Sequence, residues 1–160
     1  MRAAGKGASH DGMNPMLLSM IAVVLAGGAT ALQAPTNAKM MTAVGSPVNA
    51  AFVSFAVGTA ALGIVAMILQ TKPDLTAARG LPWYAWIGGL YGAIFVVAAA
   101  WCVPRLGVAL TITLMVAGQL LIGLILDHFG AFGSPQSPIS LGRMAGVALV
   151  VAGVLMVRRF

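Results

Sequence analysis

Five stretches of this chain run for about twenty residues with almost no charge inside them, and turn-forming residues bound each one. A helix of about 20 apolar residues is what crosses the hydrocarbon core of a bilayer. In lipid every backbone N–H and C=O must be satisfied internally, which leaves helices or closed barrels. Barrel strands alternate apolar and polar side chains, whereas these runs are apolar throughout. The expected fold is therefore an all-α integral membrane protein with five transmembrane helices, at about 16–37, 47–70, 83–103, 106–127 and 141–157. Pro15 and Pro47 stand at the heads of the first two. Gly45-Ser46-Pro47, Lys72-Pro73-Asp74, Pro104-Arg105, and Gly133-Ser134-Pro135 with Pro138 mark the joints. The Pro104-Arg105 joint is short enough to make the third and fourth helices an antiparallel hairpin. Trp83, Tyr84 and Trp86 gather at one end of the third helix, as an interfacial aromatic belt requires.

Composition agrees. The chain is 60% hydrophobic and 8% charged, against about 25% charged residues in a soluble domain. Its net charge of +6 does not point to nucleic acid, because the basic residues are spread singly and form no patch or stripe. They suit lipid headgroups at the ends of spans instead, and Arg143 in the short fifth span can snorkel to the interface. Cys102 is the single cysteine and reads as a small buried hydrophobe. Arg2 and Lys6 precede an apolar stretch, and Ala29-Thr30-Ala31 resembles a cleavage site, but the stretch continues to Ala34 and reads as a first membrane helix. Residues 1–12 are polar and Gly-rich and read as a disordered tail ahead of a transmembrane domain over 13–160.

An odd number of spans puts the two termini on opposite faces, which allows the basic residues to be counted by side. One face holds Arg2, Lys6, Lys72, Arg79 and Arg143; the other holds Lys39, Arg105, Arg158 and Arg159. Orientation follows a clear imbalance of Lys and Arg, and five against four is almost none. A chain without an orientation signal inserts both ways, and two opposed copies can pair about an axis in the membrane plane. That builds from one sequence the inverted repeat that many transporters encode twice. The alternative is a weak bias set by local charges or by a partner.

Few polar residues lie inside the spans, so each is informative. Thr30, Gln33, Pro35, Thr36 and Asn37 crowd the end of the first. Pro35 cannot donate to the carbonyl of Ala31, which frees that acceptor or kinks the helix. Gln33 and Asn37 are four apart and share a face. They are either the wall of a wet cavity or the frayed end of a helix. Gln119, near the middle of the fourth span, needs a partner in another helix, in a solute or in its own copy. Thr111 and Thr113 precede it. Tyr91 and Trp101 offer faces for an aromatic or cationic ligand, or pack against lipid and neighbours. Asp127 and His128 form an ionisable pair at the end of the fourth span, which is either a proton-coupling group or a solvated helix end. Lys39 and Arg105 attract anions or headgroups. Small residues at four-residue spacing, Gly88-x-x-x-Gly92 and Gly142-x-x-x-Gly146 with Gly153, and Ala22, Ala26 and Gly27 in the first span, let helices approach closely.

Other chemistry is excluded. The chain has no Gly-Lys-Ser/Thr phosphate loop, no His, Cys and carboxylate cluster for a metal, and no nucleophile beside a base. No cofactor, catalytic residue or metal is expected, and an enzyme is not the reading.

The motifs also carry a resemblance. Met13-Asn14-Pro15, then Gly27-Gly28-Ala29-Thr30-Ala31-Leu32-Gln33-Ala34-Pro35-Thr36-Asn37, resemble the small YdcZ-like family of bacterial inner-membrane proteins. So do Phe55-x-x-Gly58-Thr59, Gly88-Gly89-x-x-Gly92, the stretch from Val103-Pro104-Arg105 to Leu110-Thr111, Ala117-Gly118-Gln119, and Asp127-His128-Phe129-Gly130. That family lies in the drug/metabolite transporter superfamily. The resemblance implies five helices as half of a ten-helix inverted-repeat machine, and alternating-access transport of a small organic solute across the inner membrane. The related four-helix multidrug exporters carry a Glu in the first helix; no carboxylate stands in the first span here, so coupling through such a Glu is in doubt and Asp127 and His128 remain. The expectation is a secondary transporter acting as an antiparallel homodimer in lipid. Gln33, Asn37 and Gln119, with Thr30, Tyr91 and Trp101, would contact its small-molecule substrate. The rivals are a dual-topology ion channel, which needs a continuous polar track that the second and fifth spans do not provide, and a non-transporting subunit that requires a partner.

Overall fold

A computed structural model describes residues 14–160. The expected tail and the residues Arg2, Lys6 and Met13 lie outside the described residues. All regular structure among them is helical. The helices are α1 (Pro15–Val44), α2 (Pro47–Ile68), a short α3 (Leu75–Arg79), α4 (Gly88–Leu106), α5 (Val108–Phe129) and α6 (Leu141–Arg159), with 3₁₀ turns at Trp83–Trp86 and Ala131–Gly133. Five of the six, all but α3, are long and apolar enough to cross a membrane.

Local chemistry sets the ends. Asn14 Oδ1 accepts the Met16 N–H and Pro15 takes the first helical position, where its missing donor costs nothing. Ser46 and Pro47 start α2 in the same way, Asp74 accepts from Thr76 and Ala77 at the head of α3, and Ser140 accepts from Arg143 at the head of α6. The first span is longer than the sequence suggests. Rather than ending at Asn37, α1 runs through Pro35 and Lys39 to Val44 and stops only at Gly45, whose φ of 75° is left-handed. The Thr36 hydroxyl donates to the Leu32 carbonyl and helps carry the helix past the proline. At 1.5 Å per residue its 30 residues reach about 45 Å, beyond the hydrocarbon thickness of about 30 Å.

Two other joints shift for a related reason. Pro104 sits inside the last turn of α4, where a missing N–H frees one carbonyl without stopping the helix. The break falls at Gly107, with φ 81° and ψ 165°, a conformation that requires glycine. That single residue joins α4 to α5, and the two helices pack together. The aromatic belt is not the start of α4 but a separate 3₁₀ turn before it.

Threaded through a bilayer, the five long helices give two unlike faces. The turn face carries the connections Gly45-Ser46 and Gly107 and the end of α6. The loop face carries residues 69–87 and 130–140. These two loops meet, with the Tyr84 and Phe132 rings edge to face at 5.3 Å. The basic residues divide as the sequence requires. Lys72, Arg79 and Arg143 lie toward the loop face, and Lys39, Arg105, Arg158 and Arg159 toward the turn face.

The core is thin and lies off centre. Buried residues are Ala34, Asn37 and Ala38 of α1, Ala50 and Ala51 of α2, Val96, Ala99 and Ala100 of α4, Thr111 of α5 and Val154 of α6. All but Val96, which stands at the middle of α4, lie in the half of their helix nearer the turn face. There α1, α2, α4 and α5 converge on small side chains, the packing that lipid favours because it offers no hydrophobic drive between helices. Toward the loop face they separate. Gly27, Gly28, Gly88, Gly118 and Gly123 have nothing within 4 Å of where a Cβ would stand. Helix α6 packs only on α5, and Gly142, Gly146 and Gly153 are likewise open. Within the spanning helices Gly92 is the exception, since a Cβ there would meet Phe55 Cζ of α2 at 3.1 Å. Gly92→Leu is expected to destabilise the chain by roughly 1–3 kcal/mol through overpacking, seen as a lower melting temperature in detergent. Gly88→Leu, in open space on the same helix, is expected to change it little.

Candidate functional site

Where the helices separate, a cavity of about 290 Å³ opens among α1, α4 and α5. Its walls are Val23, Ala26, Gly27, Thr30, Ala31 and Ala34 of α1, Phe95 of α4, and Ile112, Met115, Val116 and Gln119 of α5. Apart from backbone, only Thr30 and Gln119 are polar. The Thr30 hydroxyl donates to the Ala26 carbonyl at 3.0 Å, which leaves its oxygen as an acceptor. Side-chain hydrogen bonds on α5 belong to Thr111, Thr113, Asp127 and His128. Gln119, which is exposed, has none among the described residues, so its donor and its acceptor are both free at the cavity wall. No charged group lines it. The walls can therefore hold an apolar body, and two side chains can orient one polar group on it.

Gln119 also borders a second groove, between α5 and α6, of about 410 Å³. Leu120, Gly123, Leu124, Gly146, Val147 and Val150 line it, and Asp127 with Arg143 close its end. Arg143 Nη2 donates to Asp127 Oδ2 at 2.6 Å and Nη1 to the Ser137 carbonyl at 2.8 Å. Both side chains are more than a third exposed, so the pair adds little stability. It does hold the 130–140 loop, together with three further bonds. The Ser137 N–H donates to the Asp127 carbonyl at 2.8 Å, Gln136 Nε2 donates to the His128 carbonyl at 3.1 Å, and the Ile139 N–H donates to His128 Nδ1 at 3.2 Å. That last bond uses a ring nitrogen lone pair, which an imidazolium does not have.

The sequence-selected residues are thus brought together in part. Thr30 and Gln119 share one cavity. Gln33 turns to the other side of α1, donating to Ser54 Oγ at 3.4 Å. There it borders a groove of about 200 Å³ with Phe55, Gly58, Thr59 and Leu62. Pro35, between these positions, does not end α1. Asn37 is 4% exposed and lines neither space, and its Nδ2 has no hydrogen-bond partner. Tyr91 joins Leu81, Pro82, Tyr84 and Phe132 in a depression at the loop face. Trp101 is 50% exposed, and one ring face is taken by Arg105 of its own chain, with the guanidinium carbon 4.0 Å from the centroid. Arg105 also donates to the Trp101 carbonyl. Sequence reasoning missed Phe95 and Met115 as cavity walls, because helical periodicity is invisible where every face is apolar. It missed the Asp127–Arg143 pairing as well, although one acid and one base flanking a short loop was a signal for it.

Comparison with known proteins matches residues 18–156 to the family described as "Putative inner membrane exporter, YdcZ". The Inner membrane protein YdcZ of Escherichia coli (strain K12) is 39% identical over 77 residues, which are 48% of this chain and 51% of that protein. The match thus spans about half the length of this curated relative. No solved structure matches the chain.

Proposed function

This chain belongs to the YdcZ family, and on that premise we propose that it is a secondary-active transporter of small, neutral or amphipathic organic molecules, working by alternating access as an antiparallel homodimer of dual topology. Membership and the five apolar helices make the chain a multi-pass protein of the inner membrane, and membership supports a membrane transporter in the general sense. The observation that carries the finer reading is the uncharged cavity of about 290 Å³ in which Thr30 and Gln119 are the polar side chains. A cation or anion would find no counter-charge there, and leaving an ion unpaired in a low dielectric is costly. An apolar body with one hydroxyl, amide or carbonyl finds both a wall and a partner.

Several features support the dimer. Five spans, the number this chain has among the described residues, is an odd count that also lets two opposed halves follow one another in a single chain, as inverted repeats do. Basic residues balance between the faces, so that opposed copies are equally favoured. The core of one chain is too thin to enclose a pathway, and α6 has a stripe of open glycines on its surface. Asp127 shares the α5–α6 groove with Gln119, which supports Asp127, with His128 beside it, as the coupling group. Purified protein in liposomes is expected to take up neutral amphipathic solutes saturably, while organic cations and anions of equal size do not compete. Competition by charged analogues as strong as by neutral ones would refute the proposed substrate class.

A further inference from the structure

Asn37 was selected in the sequence as a cavity residue, yet it lies outside the cavity in a packed core with an unused donor. Resting on the transport reading above, we propose that Asn37 is the donor of a second, occluded polar station, which meets solute or water only when the helices part at the turn face. The solute class it recognises is a neutral molecule bearing a hydrogen-bond acceptor.

The placement follows from helix geometry. Asn37 lies seven residues beyond Thr30 on α1, about 10 Å toward the turn face. Thr111 lies eight residues before Gln119 on α5, about 12 Å in the same direction, since α5 starts at that face. Thr30, Ala34 and Asn37 recur at helical spacing on one stripe, as do Gln119, Met115 and Thr111. Ala34 and Met115 are walls of the open cavity. The stripes that form the cavity therefore continue into the convergence zone, and each ends on a polar side chain. Asn37 and Thr111 are the buried polar residues among those described. Thr111 is satisfied, donating to the Gly107 carbonyl at 2.7 Å, and its oxygen can still accept. Asn37 Nδ2 is unsatisfied.

A buried donor without a partner raises the energy of the state that contains it. The surrounding alanines seal this end: Ala50 and Ala100 are fully buried, and Ala99 is nearly so. Parting the helices there hydrates the amide and removes the penalty. The unmet donor thus biases the chain away from the closed arrangement, keeping the other state within thermal reach. An apolar residue of similar size would fill the space with no such bias and would trap this end shut.

The test uses water access and needs no known solute. Cys102 is first replaced by Ser, which leaves a cysteine-free chain. Ala38→Cys, at a site 6% exposed beside Asn37, and Leu32→Cys, at a site 72% exposed on the apolar outer surface of α1, are then treated in native membranes with a membrane-permeant maleimide. Maleimide reacts with thiolate, which forms in water and not in lipid. Ala38→Cys is expected to react faster than Leu32→Cys, and adding Asn37→Leu is expected to slow it by about tenfold while raising the melting temperature. Asn37→Ala removes the same donor without the bulk of Leu and is expected to slow labelling too, which covers the case in which Leu does not fit. The inference is overturned if Ala38→Cys reacts no faster than Leu32→Cys, or if both Asn37 substitutions leave the rate unchanged or raise it. A chain that opens in this assay but moves no solute in liposomes would sink the transport reading alone.

Discussion

Gln119→Leu is expected to leave insertion, folding and dimerisation intact while weakening solute binding by roughly tenfold to hundredfold, the effect of losing one buried hydrogen bond and leaving its partner on the solute unmet. The side chain makes no hydrogen bond among the described residues, so the chain itself loses nothing. Leu fits both the volume and the lipid-like surroundings, and removes a polar group from membrane depth. The change therefore separates a binding role from a structural one. A Gln acting as glue between helices would lower the melting temperature or the dimer fraction when lost. Loss of a Gln that faces the solute raises the concentration for half-maximal uptake and lowers the thermal shift that solute produces. Unchanged uptake kinetics would remove Gln119 from the site. Because Gln119 also borders the α5–α6 groove, a changed response to proton concentration in the same variant would connect that groove to coupling.

The second large effect concerns orientation. Arg158→Ser together with Arg159→Ser leaves two basic residues at the turn face, Lys39 and Arg105, against five at the opposite face when Arg2 and Lys6 are counted. That is a clear imbalance, and the positive-inside rule then fixes the loop face in the cytoplasm. A reporter on the C-terminus is expected to change from signalling on both sides to signalling on the outside alone. Antiparallel pairing becomes impossible for such a chain by itself, so transport is expected to vanish. Co-expression with a chain biased the other way, through Lys6→Ser, Lys72→Ser and Arg79→Ser, which leaves two basic residues against the four of the turn face, is expected to restore it. If the doubly substituted chain alone keeps full activity, the antiparallel dimer is wrong. If the parent reporter already signals on one side only, the balance of charges does not produce dual topology.

The rest of the site was legible to differing degrees. Thr30 and Gln119 stood out because a polar group inside an apolar span is rare, and the fold places them in one cavity. Gln33 and Asn37 were grouped with each other on the strength of a shared helical face, but a face is a range of directions. Over three residues a helix turns far enough to carry Gln33 to Ser54 in the next groove. Asn37 stays on the cavity stripe but lies one turn past the cavity floor, where α4 and α5 close in. Pro104 marked a joint in the sequence, and Pro35 lay at an expected helix end, yet neither broke its helix. A proline removes one donor, while ending a helix at a sharp turn takes a left-handed residue, and Gly45 and Gly107 supplied it.

The sequence by itself determined what the solvent demands. Lipid tolerates only satisfied backbones, so five apolar runs had to be five helices, and their number and basic residues arranged the faces. What only the tertiary structure decided is where those helices touch and where they part. On a chain that is apolar all round, no hydrophobic face marks the inside, and contact is decided by which small side chains let backbones approach. Ala34, Ala50, Ala99 and Ala100 close one end, while Gly27, Gly28, Gly88 and Gly123 toward the other end meet nothing. From that asymmetry come the cavity, the free amide of Gln119 and the unmet one of Asn37.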